Sequence, residues 1–530
     1  MDKKAKIKAP VKIVTVPTDI TRTHHIEPVS VMPDCSLPRG SGPWPTPDNQ
    51  SILFEVACMK QLDAEVTPTK PAEEALKLHE PKYAAMVKSH PELLEPSFQK
   101  GNPTHGVWHK MHTADHAPCK SKRRPIIADS IKAQKGKEAW EKMLADGIIE
   151  KVDPASNTDW SSALHLADQP GGGVRPCPDF RLLNQKTVTD AHPLPLLKDF
   201  TKKIHGAKVF SKVDLRSAFF NIPIWPSHKH KMLTLSPWGG SYVFNRLPFG
   251  LSSGPSSWQK VLEWVLRDVK QAFVYLDDIL LWGNTKQEHD KVLKEVLQRL
   301  ASNKMALSIE KCLFGKNSVE YLGYHVSDTG IKPMPRKLKA LEEFRQPTSQ
   351  KDVLHFCGAL NYFRTSLKGI QTSNGFKSAA AVLQPLYAVG TEKMPTKTKF
   401  KDIWENSPAL KLAFAEAKQM LVNAVELHHP HPECPLALFS DASNYSVGGS
   451  LQMLAPDGSF KPLGFYSAHL TETQKKYSVF KKELLGAFKS LRHSLPEIYG
   501  RHCTIYVDHL PLVQAFKSSN LPLNDPQSYR

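Results

Sequence analysis

The chain has 530 residues, which is too many for one packed core and predicts about three or four domains. It carries 70 Lys and Arg against 52 Asp and Glu, a net charge of +18, which favours a polyanionic partner such as nucleic acid. No apolar run approaches the ~20 residues that span a bilayer, and no signal sequence follows Met1. We therefore expect a soluble, intracellular protein with no membrane partner. The eight cysteines are scattered without a C-x-x-C pair, which argues against a zinc knuckle or a disulfide framework.

Residues 1–100 are rich in turn-forming stretches such as SLPRGSGPWPTPDNQ and show little sustained periodicity. They predict a linker or a poorly ordered arm, and they contain no recognisable chemistry. Between Lys137 and Ile149, apolar residues at helical spacing end at Gly147, so this segment predicts a helix followed by a strand.

Short β-rich runs alternate with a helical stretch, SSWQKVLEWVLRDV, between Val209 and Gly283. This alternation predicts an α+β domain with an antiparallel core. Residues 332–430 are predicted to be mainly helical, and a second α/β pattern begins near Pro435.

The segment FVYLDDILLWG predicts a hairpin with Asp277 and Asp278 at its tip. Two aspartates in a turn are by themselves typical of ordinary solvated turn chemistry. A second β-rich run, VFSKVDL, ends at Asp214, which we expect to lie beside the hairpin. Three carboxylates held together would repel one another unless cations lay among them. Two Mg²⁺ ions about 3.5–4 Å apart would activate a 3′-hydroxyl and neutralise a leaving pyrophosphate, which is nucleotidyl transfer.

Phe219, five residues after Asp214, is a candidate for the residue that lies under an incoming sugar and clashes with a 2′-hydroxyl. The alternative is that Phe219 is simply a core aromatic.

A second acidic set follows near the C-terminus. Asp441 ends a β-rich run, Glu483 lies on a predicted helix, and Asp508 ends another strand. Each has an ordinary alternative explanation, since Glu483 among lysines fits a helix surface and Asp508 fits a strand terminus.

Five motifs together resemble the reverse transcriptases of gypsy-type LTR retrotransposons (Metaviridae Pol polyproteins). They are D-F-R-L-L-N at 179–184, V-D-L-x-S-A-F-F at 213–220, R-L-P-F-G-L at 246–251, Y-L-D-D at 275–278 and Y-L-G-Y at 321–324. The resemblance runs from about His105 to the C-terminus. It implies an α+β right-hand polymerase with fingers and palm at 101–330, then a thumb and a mostly helical connection at 331–430. An α/β RNase H-like domain would occupy 431–530.

The resemblance also implies site residues. Asp214 and Asp277 would be the principal metal ligands, with Asp278 beside them. Arg175 would hold the triphosphate of the incoming nucleotide, and Phe219 would be the steric gate against ribonucleotides.

Further roles follow from the same resemblance. Phe249 and Gly250 would line the nucleotide pocket. The turn that contains Tyr321 and Gly323 would grip the primer strand, and Lys311 is a candidate for protonating the pyrophosphate.

The second acidic set, taken as strand Asp, helix Glu and strand Asp, resembles RNase H, which makes Asp441, Glu483 and Asp508 its expected metal ligands. Family members usually supply a fourth acid from a later helix, and the sequence stops at NDPQSYR before such a segment. We therefore expect either an incomplete RNase H domain or a fragment of a longer polyprotein.

The resemblance implies Mg²⁺ as cofactor, with Mn²⁺ as an alternative. The implied partners are an RNA template, a DNA primer, RNA–DNA hybrid and dNTPs, in the cytoplasm within virus-like particles and with access to the nucleus. The sequence does not indicate an oligomeric state.

One departure from the family supports a competing function. Where the family has Lys-Lys-Asp-Gly, this chain has Gln169-Pro170-Gly171-Gly172, so a phosphate-binding lysine is missing. The alternative is a domesticated or decayed copy that binds nucleic acid without catalysis. We reject a protease at Asp328-Thr329-Gly330, because this triplet lies where the family has a hairpin turn.

Overall fold

The structure is a computed structural model. It describes the backbone of 11–15 and residues 72–95, 104–114, 116–127, 130–153, 159–169, 172–195, 200–201, 203–372, 375–392 and 399–517. None of the helices in these ranges combines the length and the apolarity that crossing a bilayer requires.

The α-helices are α1 (Ala72–Leu76), α2 (Pro81–Lys88), α3 (Ile131–Ala145), α4 (Arg181–Lys186), α5 (Gly254–Val265), α6 (Lys286–Ser302), α7 (Pro335–Glu342), α8 (Gln350–Tyr362), α9 (Ala379–Thr391), α10 (Phe400–Glu405), α11 (Pro408–Val422), α12 (Glu472–Lys475), α13 (Val479–Ile498) and α14 (Leu510–Lys517). Short 3-10 helices occur at Pro91–Leu93, Ala218–Asn221, Pro226–Met232, Ile309–Lys311 and Arg364–Ser366.

The strands are β1 (Val11–Thr15), β2 (Ile149–Lys151), β3 (Ser162–Gln169), β4 (Gly173–Pro178), β5 (Val209–Asp214), β6 (Thr234–Leu235), β7 (Ser241–Phe244), β8 (Ala272–Tyr275), β9 (Asp278–Gly283), β10 (Leu313–Lys316), β11 (Val319–Tyr321), β12 (Tyr324–Val326), β13 (Gly330–Pro333), β14 (Ile370–Thr372), β15 (Gly375–Lys377), β16 (Leu427–His428), β17 (Leu436–Ala442), β18 (Ser446–Leu454), β19 (Phe460–His469) and β20 (Cys503–Val507).

The chain forms two compact units. Unit A comprises the described residues of Ala64–Phe200 and Gly206–Leu322. Unit B comprises those of Met1–Asp63, Thr201–His205 and Gly323–Arg530. The sequence-based division into fingers and palm at 101–330, thumb and connection at 331–430 and an RNase H-like domain at 431–530 is finer than these two units and stays a prediction.

Unit A contains two sheets. One has the order β10-β5-β9-β8 with antiparallel neighbours, and the other has the order β2-β7-β6-β3-β4. In β5, Ser211 and Val213 are buried on one face, whereas Lys212 and Asp214 are only partly buried on the opposite face. This alternation follows from the two-residue repeat of a strand, and it keeps both charged residues off the core.

The N-terminal helices α1 and α2 pack on unit A. The fully buried Tyr83 contacts the rings of Phe314 and His289, with centroid separations of 6.1 and 6.2 Å, and Lys82 pairs with Asp290. Residues 72–95 therefore differ from the predicted linker or arm. Apart from β1, the rest of that predicted segment lies outside the described residues.

Unit B begins with a mainly helical part, α7 to α11, which confirms the helical prediction for this region. Strands β12 and β13 form an antiparallel hairpin in which Val326 pairs with Ile331. Asp328 and Thr329 lie in the connecting turn and Gly330 begins β13, so the triplet lies at a hairpin, as the sequence analysis expected when it rejected a protease.

The second α/β pattern is also confirmed. Its five strands have the order β1-β20-β17-β18-β19, with β17, β18 and β19 antiparallel and β20 parallel to β17. Helix α13 packs on this sheet, and Gly449 permits the close approach, because a Cβ there would lie 2.4 Å from Ser490 Oγ. Strand β1 pairs in parallel with β20 at the sheet edge.

Candidate active sites

The first acidic set assembles where β5 meets the β8–β9 hairpin. Asp214, the last residue of β5, lies directly opposite Asp278, the first residue of β9. Tyr275 pairs with Asp278, so Leu276 and Asp277 form a two-residue turn. The three predicted acids therefore come from adjacent positions of one sheet.

The turn that carries Asp277 has a strained backbone. Leu276 has φ = +51°, in the left-handed region that costs an L-residue about 1–2 kcal/mol. Two side chains of helix α5 hydrogen-bond to this turn. The Leu276 N–H donates to Gln259 Oε1 at 3.0 Å, and Trp258 Nε1 donates to the Leu276 carbonyl at 3.2 Å. The sequence analysis missed Gln259 and Trp258. A polar residue on the apolar face of an amphipathic helix was the available signal.

Two lysines lie beside the acids. Lys212 Nζ is 3.2 Å from Asp278 Oδ1, and Lys311 Nζ is 3.9 Å from Asp214 Oδ1. Burial and the neighbouring Asp278 raise the pKa of Asp214 to about 6, although Lys311 and Lys212 oppose this rise. Three clustered carboxylates, one of which is largely buried, fit a divalent cation, which would remove their mutual repulsion.

The residues predicted to line the nucleotide pocket lie close together. The Arg175 guanidinium lies 4.7 Å from the Phe249 ring centroid, and the Phe219 ring lies 5.2 Å from the same ring. Phe219 is partly exposed, as a residue that meets a sugar must be. Gly250 has φ = +94°, a conformation that a side chain would strain.

Asn184 fixes the loop that carries this pocket. Its Nδ2 donates to the Gly250 carbonyl at 2.8 Å, and its Oδ1 accepts from the Ser252 N–H at 3.0 Å. Asn184 belongs to one of the quoted motifs, but no role could be predicted for it, because its partners are backbone atoms far along the chain.

The two predicted primer-grip residues have different environments. Tyr321 is fully buried, and its hydroxyl donates to the Asp278 carbonyl at 3.1 Å, so its side chain supports the acidic hairpin from inside unit A. Gly323 has φ = +79° and follows Leu322 at φ = +46°, which gives a sharp left-handed bend. The Gly323 carbonyl accepts from the Met334 N–H at 3.1 Å.

The hairpin between β3 and β4 contains the departure from the family. Pro170 and Gly171 lie outside the described residues. At Gly172 the backbone carbonyl accepts from Lys135 Nζ at 2.7 Å, and Lys132 Nζ lies 2.7 Å from Asp168 Oδ2. Two lysines of α3 thus lie at the hairpin in which the family lysine is replaced.

The second acidic set assembles in unit B. Ser440 pairs with Val507 in parallel strands, so the next residues, Asp441 and Asp508, lie side by side. Glu483 reaches them from α13, and one carboxylate oxygen from each of the three lies within 4.8 Å of the others. The predicted strand, helix and strand acids are therefore brought together.

The electrostatics of this second cluster fit a cation. Glu483 is 4% exposed, and its Oε2 is buried without a hydrogen-bond partner. Burial first, and then the Asp508 and Asp441 carboxylates, raise the pKa of Glu483 to about 8. A divalent ion is the group that would satisfy such a carboxylate.

Family models match a part of each unit. Residues 167–326 match the family model "Reverse transcriptase (RNA-dependent DNA polymerase)", and residues 407–505 match "RNase H-like domain found in reverse transcriptase". The Tf2-3 and Tf2-7 transposon polyproteins of Schizosaccharomyces pombe are each 31% identical over 325 residues, which is 61% of this chain and 23% of each polyprotein. The chain thus spans about a quarter of their length.

Solved structures show the same fold. A foamy viral protease-reverse transcriptase in complex with RNA/DNA hybrid has a TM-score of 0.68 at 20% identity, covering 86% of this chain and 60% of that one. The same viral protein in complex with dsDNA also has a TM-score of 0.68 at 20% identity, covering 88% and 94%.

The fold and the family matches define a reverse transcriptase domain joined to an RNase H-like domain. The chain is also similar to transposon polyproteins of the Tf2 kind, which confirms the resemblance inferred from its motifs.

Proposed function

We propose that this chain is an RNA-directed DNA polymerase that works by two-metal nucleotidyl transfer. The observation that carries the proposal is the placement of Asp214 opposite Asp278, with Asp277 in the adjoining turn. Bound divalent cations, Mg²⁺ or alternatively Mn²⁺, would activate the primer 3′-hydroxyl and stabilise the leaving pyrophosphate. Asp214, Asp277 and Asp278 are the residues that would hold them.

Three further side chains have separate tasks: one binds the nucleotide, one selects its sugar and one transfers a proton. Arg175 binds the triphosphate of the dNTP, and its contact with Phe249 keeps the guanidinium over the pocket. Phe219 excludes the 2′-hydroxyl of a ribonucleotide. Lys311 is exposed beside Asp214 and is placed to donate a proton to the pyrophosphate.

We further propose that Asp441, Glu483 and Asp508 form a nuclease site that cleaves the RNA strand of RNA–DNA hybrids. The proposed partners are an RNA template, a DNA primer, their hybrid and dNTPs. The net charge of +18 supports these polyanionic partners, as do the hybrid and duplex bound by the foamy viral proteins.

A second candidate is a decayed element protein that binds nucleic acid without catalysis. The replacement of the family lysine at Gln169-Pro170-Gly171-Gly172 favours it. Primer extension on an RNA template with Mg²⁺ separates the two proposals, since a decayed copy binds the hybrid but adds no nucleotides.

The control for that assay is Asp277→Asn. We expect this variant to lose extension by at least about 100-fold, because one metal-binding charge is removed. Hybrid binding should stay within about threefold of the wild type, because basic residues hold the phosphates. An equal loss of binding and synthesis, compared by filter binding and extension, would contradict the assignment of Asp277 to the metals.

A further inference from the structure

We infer that Gln259 is a positioning residue for the catalytic turn, and that its hydrogen bonds hold Asp277 in the geometry needed for nucleotidyl transfer. The inference rests on the proposed polymerase function. It concerns a residue of α5 that does not itself face the substrate.

The side chain of Gln259 is fully buried (0% exposed) and its amide is fully engaged. Its Oε1 accepts from the Leu276 N–H at 3.0 Å. Its Nε2 donates to the Val274 carbonyl at 3.0 Å and to Glu263 Oε1 at 2.9 Å. These partners fix the orientation of the amide, because the oxygen must face an N–H and the nitrogen must face two acceptors.

These hydrogen bonds are made to a strained part of the backbone. Leu276 has a left-handed backbone (φ = +51°), which an L-residue keeps only when its surroundings enforce it. Gln259 holds the peptide groups on both sides of Tyr275, and Trp258 Nε1 holds the Leu276 carbonyl. Without the Gln259 amide the turn would relax, and the Asp277 carboxylate, which is next in the chain, would move with it.

Trp258, the residue before Gln259 on α5, lies near the proposed nucleotide pocket. The Trp258 ring lies 6.5 Å from the Phe219 ring. Because the hydrogen bonds of Gln259 go to the strand and turn that carry Asp277, whereas Arg175 and Phe249 are the residues proposed to bind the nucleotide, we expect its loss to disturb the chemical step more than nucleotide binding.

The principal test is Gln259→Leu, with Val261→Ala as the matched control. Val261 is also fully buried on α5, but it makes no hydrogen bond to the turn through its side chain. Gln259→Leu should lower kcat for primer extension by about 10- to 100-fold, since small displacements of reacting groups have effects of that size. It should also raise the Mg²⁺ concentration needed for half-maximal rate, with KM for dNTP nearly unchanged. Val261→Ala should lose stability without these kinetic changes.

A double variant separates positioning from general packing. Leu276→Gly tolerates the left-handed backbone without strain, so the turn depends less on the amide. The loss caused by Gln259→Leu should therefore be smaller in the Leu276→Gly background than in the wild type. Should Gln259→Leu not fold, Gln259→Met, which is unbranched like glutamine and also lacks the amide, serves in the same comparison.

Hydrogen exchange at the Leu276 amide gives a readout that needs no activity. We expect exchange to be faster in Gln259→Leu and unchanged in Val261→Ala. Equal kinetic losses in the two variants, equal losses in both Leu276 backgrounds, or an unchanged Leu276 exchange rate would each overturn the inference. If the wild type adds no nucleotides, the proposed function fails, and the exchange measurement still decides whether Gln259 holds the turn.

Discussion

Phe219 is the residue on which the choice between deoxyribonucleotides and ribonucleotides should depend. Its ring is partly exposed beside Phe249 and Arg175. Phe219→Val should admit ribonucleotides, because the smaller side chain leaves space for the 2′-hydroxyl. The measurement is competition between dNTP and rNTP in primer extension. Phe220→Val is the matched control, since Phe220 contacts the same Phe249 ring at 6.0 Å. Unchanged selectivity in Phe219→Val would make Phe219 a packing residue.

Glu483 should make the stability of the metal-free protein depend on pH. Its pKa rises from the ordinary value of 4.5 to about 8, mainly through burial, so the folded protein holds this proton more tightly than the unfolded chain. For this group, stability is therefore highest below pH 4.5 and falls as the pH rises through about 8. Thermal unfolding in EDTA should show a larger fall in Tm from pH 5 to pH 8.5 for the wild type than for Glu483→Gln. Parallel pH profiles would show that the glutamate is not protonated in the folded state.

The sequence was sufficient to predict the acidic residues of both sites, but not the residues that hold the surrounding loops in position. Asp214, Asp277 and Asp441 each adjoin β-rich apolar runs, so their placement at strand ends could be predicted. Gln259 and Asn184 could not, because they act on backbone atoms and a hydrogen bond to the backbone leaves no pattern in the sequence.

The N-terminal helices are elements that only tertiary contacts explain. Helices α1 and α2 have five and eight residues, too short to be stable alone. They are stabilised by residues more than 200 positions further along, such as Phe314 and His289, which contact Tyr83. Local periodicity in the sequence therefore predicts a poorly ordered arm where the protein has two packed helices.

Tyr83→Ala tests how much the packing of α1 and α2 contributes to the stability of unit A. Removal of a buried aromatic ring should cost about 3–5 kcal/mol of unfolding free energy. Gly315 lies against the Tyr83 ring, since a Cβ there would be 2.1 Å from the Tyr83 hydroxyl. Because a glycine has no side chain to move into the space, this neighbour cannot easily fill the cavity. Denaturant unfolding gives the measurement, and Tyr83→Phe, which keeps the ring, should lose much less. A loss below about 1 kcal/mol for Tyr83→Ala would mean that α1 and α2 add little to the stability of the fold.

At the scale of the whole molecule, the two acidic clusters belong to different units. Asp214, Asp277 and Asp278 lie in unit A, and Asp441, Glu483 and Asp508 lie in unit B. Their activities should therefore be separable by single substitutions.

We expect Glu483→Gln to lower cleavage of the RNA strand in a labelled hybrid by at least about 100-fold, because it removes a metal-binding charge. Primer extension by the same preparation should stay within about twofold of the wild type. The reciprocal variant, Asp277→Asn, should cleave the hybrid but not extend the primer. A joint loss of both activities in either variant would show that the two sites act as one.

The pairing of β1 with β20 has a consequence for the order in which the protein is made. Val11 lies opposite Cys503, so the two strands are separated by 492 positions (503 − 11). At about 5–20 residues per second, a ribosome needs roughly 25–100 s to travel that distance. During this interval β1 waits for β20, while the whole of unit A is synthesised. The sheet of unit B is therefore completed only once β20 has been made, and a nascent chain should fold its reverse transcriptase domain before its RNase H-like domain.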